Sequence, residues 1–375
     1  MKRRQFIKSL IAAPLVGTAH AFAAGPFFDP SPKDGWRFFE VTTSVLLRKS
    51  ESTARVWLPL PSFEEKEWVK PVGNHWHGNA SSMKIERVGP FGVLMLAASW
   101  DSGADSPFVT LTSRIATMDR SVDFSKPGKV MPLTDASLFT RPTKMVPTDG
   151  IVKSAALKAT RGEKTDIGKA RAIYEWIVEN TVRNPKVRGC GTGNIKGMLE
   201  SGDLSGKCAD LNALYVGLAR ASGLPARDVY GIRVADSRFG YRSLGKSGDI
   251  TKAQHCRAEV WLSGFGWVPV DPADVRKVVL EEEPGLKLSD GIVEAARKTL
   301  FGSWEMNWMP YNFGADIDLP GSENGAIPFF MYPQGEDASG RFDSLDPETF
   351  SYRITSRETG NMVGGIGFEP TTLAV

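Results

Sequence analysis

Three residues in the second half of this chain have the types and settings that nucleophilic chemistry requires. Cys208 lies in "LSGKCADLNALYVGLARASGLPAR", residues 204–227, at the start of a run with Leu211, Leu214, Tyr215, Leu218 and Ala219 at helical spacing, closed by Gly223-Leu224-Pro225. A thiol at a helix N-terminus faces unpaired N–H groups, whose partial positive charge favours thiolate over thiol. Full activation also asks for an imidazole and a group that orients it. His255 opens the strand-like run "HCRAEVWLS" and Asp271 closes "GWVPVDP", with Ser263-Gly264-Phe265-Gly266 as the tight turn of a hairpin between them. Counting back from the turn sets residues near 255 and 271 roughly opposite one another, and cross-strand neighbours lie about 4.5–5.5 Å apart at Cβ. A carboxylate there would accept a hydrogen bond from the imidazole and fix its tautomer.

These residues need a scaffold, and the chain shows its outline. From Trp36 to about Asp123 short β-branched and aromatic runs, "WRFFEVTTSVLL", "TARVWLPLP", "MKIERVG", "GVLMLAAS" and "FVTLTSRIAT", are separated by Gly, Pro, Ser or Asp. That pattern predicts an antiparallel, sandwich-like domain over residues 24–126. Residues 127–147 carry four prolines and no helical period and read as a linker. Helical spacing follows at Ile151–Arg161 and in "TDIGKARAIYEWIVENTV", where Ile167, Ala170, Ile173, Tyr174, Ile177 and Val178 share a face and Thr165 or Asp166 is the N-cap. A Gly-rich loop from Arg188 to Gly206 leads to Cys208, and strands return after Pro225. Helices followed by a strand-rich half predict an α+β domain over 148–350. Residues 351–375 offer no usable pattern and read as a disordered tail.

The first 23 residues have the order of a secretory signal: basic Lys2, Arg3, Arg4 and Lys8, an apolar run from Leu10 to Val16, then Ala19-His20-Ala21 and Ala21-Phe22-Ala23 as cleavage triplets. The Arg3-Arg4-Gln5-Phe6-Ile7-Lys8 run resembles the twin-arginine type, which carries folded proteins across a bacterial inner membrane and implies the twin-arginine export machinery as a partner. A periplasmic or secreted protein is expected, with no membrane anchor after cleavage. The formal charge of +3 includes the four cations of this segment, so the rest sits near −1 and gives no footprint for nucleic acid. Three cysteines, Cys190, Cys208 and Cys256, are too few for a disulfide scaffold, and an odd number leaves at least one unpaired.

"TDIGKARAIYEWIVENT", "GCGTGNIKGMLESGDLSGKCADLNALYVGLARASGLPAR" and "HCRAEVWLSGFGWVPVDP", in that order, resemble the transglutaminase-like superfamily of papain-related cysteine enzymes over roughly Pro147 to Gly340. The family's Gly-x-Cys helix start, Gly-(Ile/Leu)-Pro-Ala-Arg helix end, strand-opening His and Asp after Gly-Trp-Val are all present. The resemblance implies a papain/transglutaminase-like α+β core preceded by an all-β sandwich-like domain, with "ARVWLPLP" similar to that first domain. It places "FGSWEMNWMPYNFGADIDLP" through "IPFFMYPQGED" among the closing strands of the core. Carried over by position, Cys208 would be the nucleophile, His255 the general base and acid, and Asp271 the orienting residue.

The implied reaction is acyl transfer on a peptide or protein substrate through a thioester. Water as second nucleophile makes a peptidase or amidase, and an amine makes a transglutaminase. Hydrolysis is the expectation for an exported bacterial member. A non-catalytic module binding an envelope peptide or polymer is the rival from another class. A redox protein with a reversible Cys190–Cys208 disulfide is a third, weakened by the lack of Cys-x-x-Cys. No cofactor or metal is expected: no Asp-x-Asp-x-Asp-Gly loop is present, and His75 and His77 alone do not make a zinc site, so "NHWHGN" reads as an exposed turn.

Cys256, next to His255 on a strand, should face away from the site and pack in the core or pair with Cys190. Asp210 reads as a helix N-terminal charge, and Trp176, Trp261 and Trp267 as core aromatics. The Cys208 N–H is the natural first oxyanion donor, with Asn194, Lys207 and loop backbone groups open as the second.

Overall fold

The computed structural model describes residues 28–49, 51–128 and 133–360, so the signal-segment reading of residues 1–23 lies outside the described residues. The N-terminal part contributes six strands, β1 (Trp36–Leu46), β2 (Ala54–Pro59), β3 (Val69–Gly78), β4 (Ser82–Val88), β5 (Val93–Trp100) and β6 (Phe108–Met118). Period-two alternation puts Phe39, Val41 and Val45 of β1 inward and Phe38, Glu40 and Ser44 outward. Val45, Val56, Leu58, Leu96, Ala98, Leu111 and Phe350 meet between two five-stranded antiparallel sheets. Each such buried aliphatic or aromatic side chain contributes about 1.5–3 kcal/mol.

Both sheets borrow from the other end of the chain, which corrects the domain division. One runs Gly248–Asp249, Ser351–Thr359, β1, β6, β3, and the other Gly340–Arg341, Gln334–Asp337, β2, β5, β4. Ser351–Thr359 was expected in a disordered tail; it pairs along β1 from Phe38↔Thr359 to Leu46↔Ser351. Without it β1 would present an unpaired row of backbone groups. Gln334–Asp337, expected in the core, instead pairs with β2. The remainder of the expected tail, 361–375, lies outside the described residues. His75 and His77 are exposed on β3, paired to β6, and not on a turn.

The linker reading of 127–147 also needs correction, since it holds the helix Leu133–Leu138 and buries Phe139 and Val146. Phe139 packs edge-on against Trp267, anchoring the connection to the core.

That core is an antiparallel sheet in the order Gly266–Val270, Gln254–Leu262, Ala226–Arg233, Trp308–Asn312. Helix Cys208–Ala221 lies on it, buried at every position, with helices Gly150–Ala159, Asp166–Asn180 and Pro272–Glu281 around it. Thr165 caps the second of these through Oγ1, accepting from the Gly168 N–H at 3.1 Å, and of the expected face Ala170, Ile173, Tyr174, Ile177 and Val178 are buried while Ile167 is half-buried. Trp176, Trp261 and Trp267 are half-buried. Arg227, which ends the Gly-Leu-Pro-Ala-Arg motif, stacks 4.0 Å over Trp267 and donates to Glu259 at 2.6 Å. Glu259 also receives Arg120, just past β6, so one buried carboxylate ties helix end, hairpin and sandwich together.

Candidate active site

The site is built on an incomplete strand. Gln254–Leu262 pairs with Ala226–Arg233 along most of one edge, but Gly266–Val270 covers only Ala258 to Leu262 on the other. The carbonyls of Gln254 and Cys256 on that open edge need partners. Helix Cys208–Ala221 and the loop before it supply them: Asn212 Nδ2 donates to Cys256 O at 2.8 Å, and Cys190 Sγ to Gln254 O at 3.2 Å. The helix crosses the sheet, but its start meets the open strand edge through Asn212, so residues of both strand faces come near it. His255, Cys256 and Cys190 accordingly all come near enough to the Cys208 thiol to shift its pKa. This corrects the expectation that Cys256 is turned away from the site: alternation holds, but the helix sits where both faces reach it. All three cysteines are free and buried.

Asp271 arrives differently from the hairpin count. The register Ala258↔Val270 sets it beside Arg257, one residue past the strand end, where it caps helix Pro272–Glu281. Its Oδ1 accepts from the Asp274 N–H at 3.1 Å and Asn212 Nδ2 at 3.2 Å, and its Oδ2 meets His255 Nε2 at 2.8 Å. Arg257 Nε lies 3.5 Å from the same Oδ2. With Nε2 committed to Asp271, the other ring nitrogen of His255 is left to the thiol. Asn212 therefore braces two things at once, the open strand edge and the orienting carboxylate.

Electrostatics follow from this packing. The neighbouring Cys190 and Cys256 thiols, joined by His255 and opposed by burial, hold Cys208 well below the ordinary thiol range. The same contacts and burial push Cys190 and Cys256 well above it. Burial draws His255 down, but Asp274 and Asp271 outweigh it and the imidazole ends above its usual value. Asp274, whose Oδ1 lies 3.4 Å from His255 Nε2, is held ionised against burial by Arg233 at 2.6 Å. His255, Asp271 and Asp274 place ligand-type atoms within 4.8 Å of one another, but Arg233 and Arg257 already supply the positive charge there.

Asp210 does more than stabilise a helix end. Its carboxylate accepts from the N–H groups of Thr192, Gly193 and Lys207 at 2.9, 3.0 and 3.0 Å, clamping the loop that carries Cys190. Asn194 caps helix Ile195–Ser201, its Oδ1 accepting from Gly197 N–H. Sequence reasoning missed Gln254. It is buried, its Nε2 finds no hydrogen-bond partner among the described residues, and it shares a cleft of about 1000 Å³ with Cys190, Cys208 and His255. Its place immediately before a strand-opening His was the available signal.

Comparison with known proteins places this geometry in context. Residues 153–272, which contain Cys208, His255 and Asp271, match the family model described as the transglutaminase-like superfamily. An uncharacterized protein of Haemophilus influenzae is 34% identical over 372 residues, covering 94% of this chain and 100% of that protein. Among solved structures, a candidate cysteine protease from Cytophaga hutchinsonii aligns over 86% of this chain and 98% of its own, at 16% identity and a TM-score of 0.49. The periplasmic domain of TgpA from Pseudomonas aeruginosa aligns over 66% of this chain and 91% of its own, at 14% identity and a TM-score of 0.33. Among the described residues no helix is long and apolar enough to cross a membrane.

Proposed function

The chain belongs to the transglutaminase-like superfamily, and from that premise we propose that it is a cysteine acyl-transfer enzyme, a peptidase or amidase using Cys208, His255 and Asp271. The observation that carries the reading is one thiol with its pKa depressed, beside an imidazole that a carboxylate holds through Nε2 at 2.8 Å. The Cys208 thiolate attacks the carbonyl carbon of an amide, and the C=O pair moves onto oxygen. As the tetrahedral intermediate collapses, His255 gives its proton to the departing amine and a thioester remains. His255 then takes a proton from water as the water attacks the thioester, and collapse expels the thiolate and leaves a carboxylic acid. Asp271 keeps the imidazole in place and stabilises its charged form.

The oxyanion needs two donors. The Cys208 N–H, in the first helical turn, has no intrahelical acceptor. Gln254 Nε2 is the second in this reading: it is unpartnered, lines the cleft, and shares a strand face with Cys256, whose thiol lies near Cys208. A cleft of about 1000 Å³ admits water to the thioester, which favours hydrolysis over transfer to an amine. Export through a twin-arginine route to the periplasm, with a peptide substrate there, completes the proposal and rests on residues 1–23.

The test is the rate of Cys208 alkylation by iodoacetamide against pH in the mature protein, beside His255→Ala, read by peptide mass spectrometry. Fast modification persisting below about pH 6 and lost in the variant is expected for a thiolate–imidazolium pair. A rate that rises only near pH 8.5, the same in both proteins, would leave a binding module on this fold.

A further inference from the structure

The cleft that holds Cys208 has a charge that the chain as a whole lacks. The full sequence is nearly balanced, with 46 Lys and Arg against 43 Asp and Glu. The cleft lining carries eight Lys and Arg side chains against one carboxylate, Asp249. That carboxylate is already taken by Arg353 at 3.1 Å. Arg188 pairs with Asp343 at 2.8 Å, Arg233 with Asp274, and Arg183 and Lys277 share Glu281. Four carboxylates thus pair with five of the eight cations. Lys207, Lys246 and Lys252 have no carboxylate within ion-pair reach among the described residues. Lys207 immediately precedes Cys208, and Lys246 and Lys252 flank the Gly248–Asp249 strand, whose Asp249 also lines the cleft. The remaining wall is apolar and comes from the C-terminal segment: Tyr332, Leu345, Phe350 and Tyr352, with Leu345 38% exposed at the cleft.

We infer that the substrate is a carboxylate-bearing acyl chain: a peptide with acidic groups flanking the scissile amide and an apolar or aliphatic portion against the Leu345–Tyr352 wall. Unpaired cations in a concave site focus potential on an incoming anion and desolvate little of themselves doing so. A neutral or cationic peptide would leave them unanswered. The inference deepens the acyl-transfer reading, and its test separates the two. Iodoacetate and iodoacetamide are similar in size and differ in charge, and both report on the same thiolate. The ratio of their rates at Cys208, divided by the ratio for a free thiol in the same buffer, therefore cancels thiol reactivity and reads the field of the cleft.

At low salt a unit cation at a separation of about 10 Å in a water-like dielectric favours an anionic reagent roughly two-fold, and three such cations about eight-fold. The expected result is a normalised ratio of that order, falling toward one in 1 M NaCl, where the Debye length shrinks to about 3 Å. It should also fall about four-fold in the Lys246→Gln/Lys252→Gln double variant. A normalised ratio near one, or a raised ratio indifferent to both lysines and salt and so set by His255 alone, overturns the inference. A slow, His255-independent iodoacetamide rate would instead sink the nucleophile reading, while the ratio would still report the cleft's charge.

Discussion

Asp228 should lower the stability of the protein at neutral pH, and the size of that effect can be worked from its surroundings. It lies on strand Ala226–Arg233, buried, with Oδ1 finding no hydrogen-bond partner among the described residues. Burial lifts its pKa from 3.8 to about 7, only partly offset by Arg220, with the Cys208 charge adding to the rise. An acid with a raised folded-state pKa stabilises the fold only while protonated. Stability from this group is therefore full below about pH 4, declines as pH rises from about 4 to 7, and levels off above. Three units at 1.36 kcal/mol each set an upper bound of about 4 kcal/mol. About 2–3 kcal/mol of it falls between pH 5 and pH 8. Asp228→Asn keeps shape and neutrality across that range, and Arg220 retains its bonds to the Ala226 and Arg141 carbonyls. Urea denaturation of wild type and variant at pH 5 and pH 8 measures the difference. The variant should gain about 2–3 kcal/mol on wild type between the two pH values. A constant difference between the proteins would refute the reasoning, because it would mean that Asp228 is already ionised at pH 5 at no cost.

Asp271→Asn removes the negative charge that holds the imidazolium while preserving the cap geometry. Loss of a buried partner at 2.8 Å is a one- to three-unit effect, so iodoacetamide alkylation of Cys208 at pH 6 should drop at least about ten-fold; an unchanged rate would remove Asp271 from the triad. Glu259→Gln should cost about 3–5 kcal/mol in a denaturant titration, because Arg227 and Arg120 both lose their shared buried carboxylate; a loss under about 1 kcal/mol would show that the aromatic rings around Arg227 suffice. Asn212→Ala leaves the Cys256 carbonyl without its donor and should destabilise by about 1–3 kcal/mol while also slowing alkylation, the combination distinguishing a brace of the site from a packing residue.

How much of this was legible in the sequence depended on whether the signal was local. The helix start at Cys208, the Thr165 cap and the buried face Ala170 to Val178 follow from spacing within one or two turns, and the alternation of β1 from its own residues. The hairpin was legible too, but its exact register was not. Asp271 faces Arg257 across the strand end and reaches His255 only because it turns inward as a helix cap. The role of Cys256 was invisible for a related reason: alternation says which face a residue takes, not how near the open strand edge a helix begins.

The C-terminal strand was the largest miss, and its cause bears on the site. "SYRITSRET" is half-polar, since one face of it covers the sandwich and the other is exposed to solvent, so nothing in its own pattern distinguishes it from a tail. Its pairing partner, β1, lies more than 300 positions away, and only that contact makes it a strand. Once paired, it carries Tyr352 and Arg353 to the rim of the cleft beside Cys208. The sandwich therefore supplies part of one wall of that cleft. Any change that loosens the β1 pairing should reach the thiol's surroundings through that wall before it reaches the helix that carries the thiol.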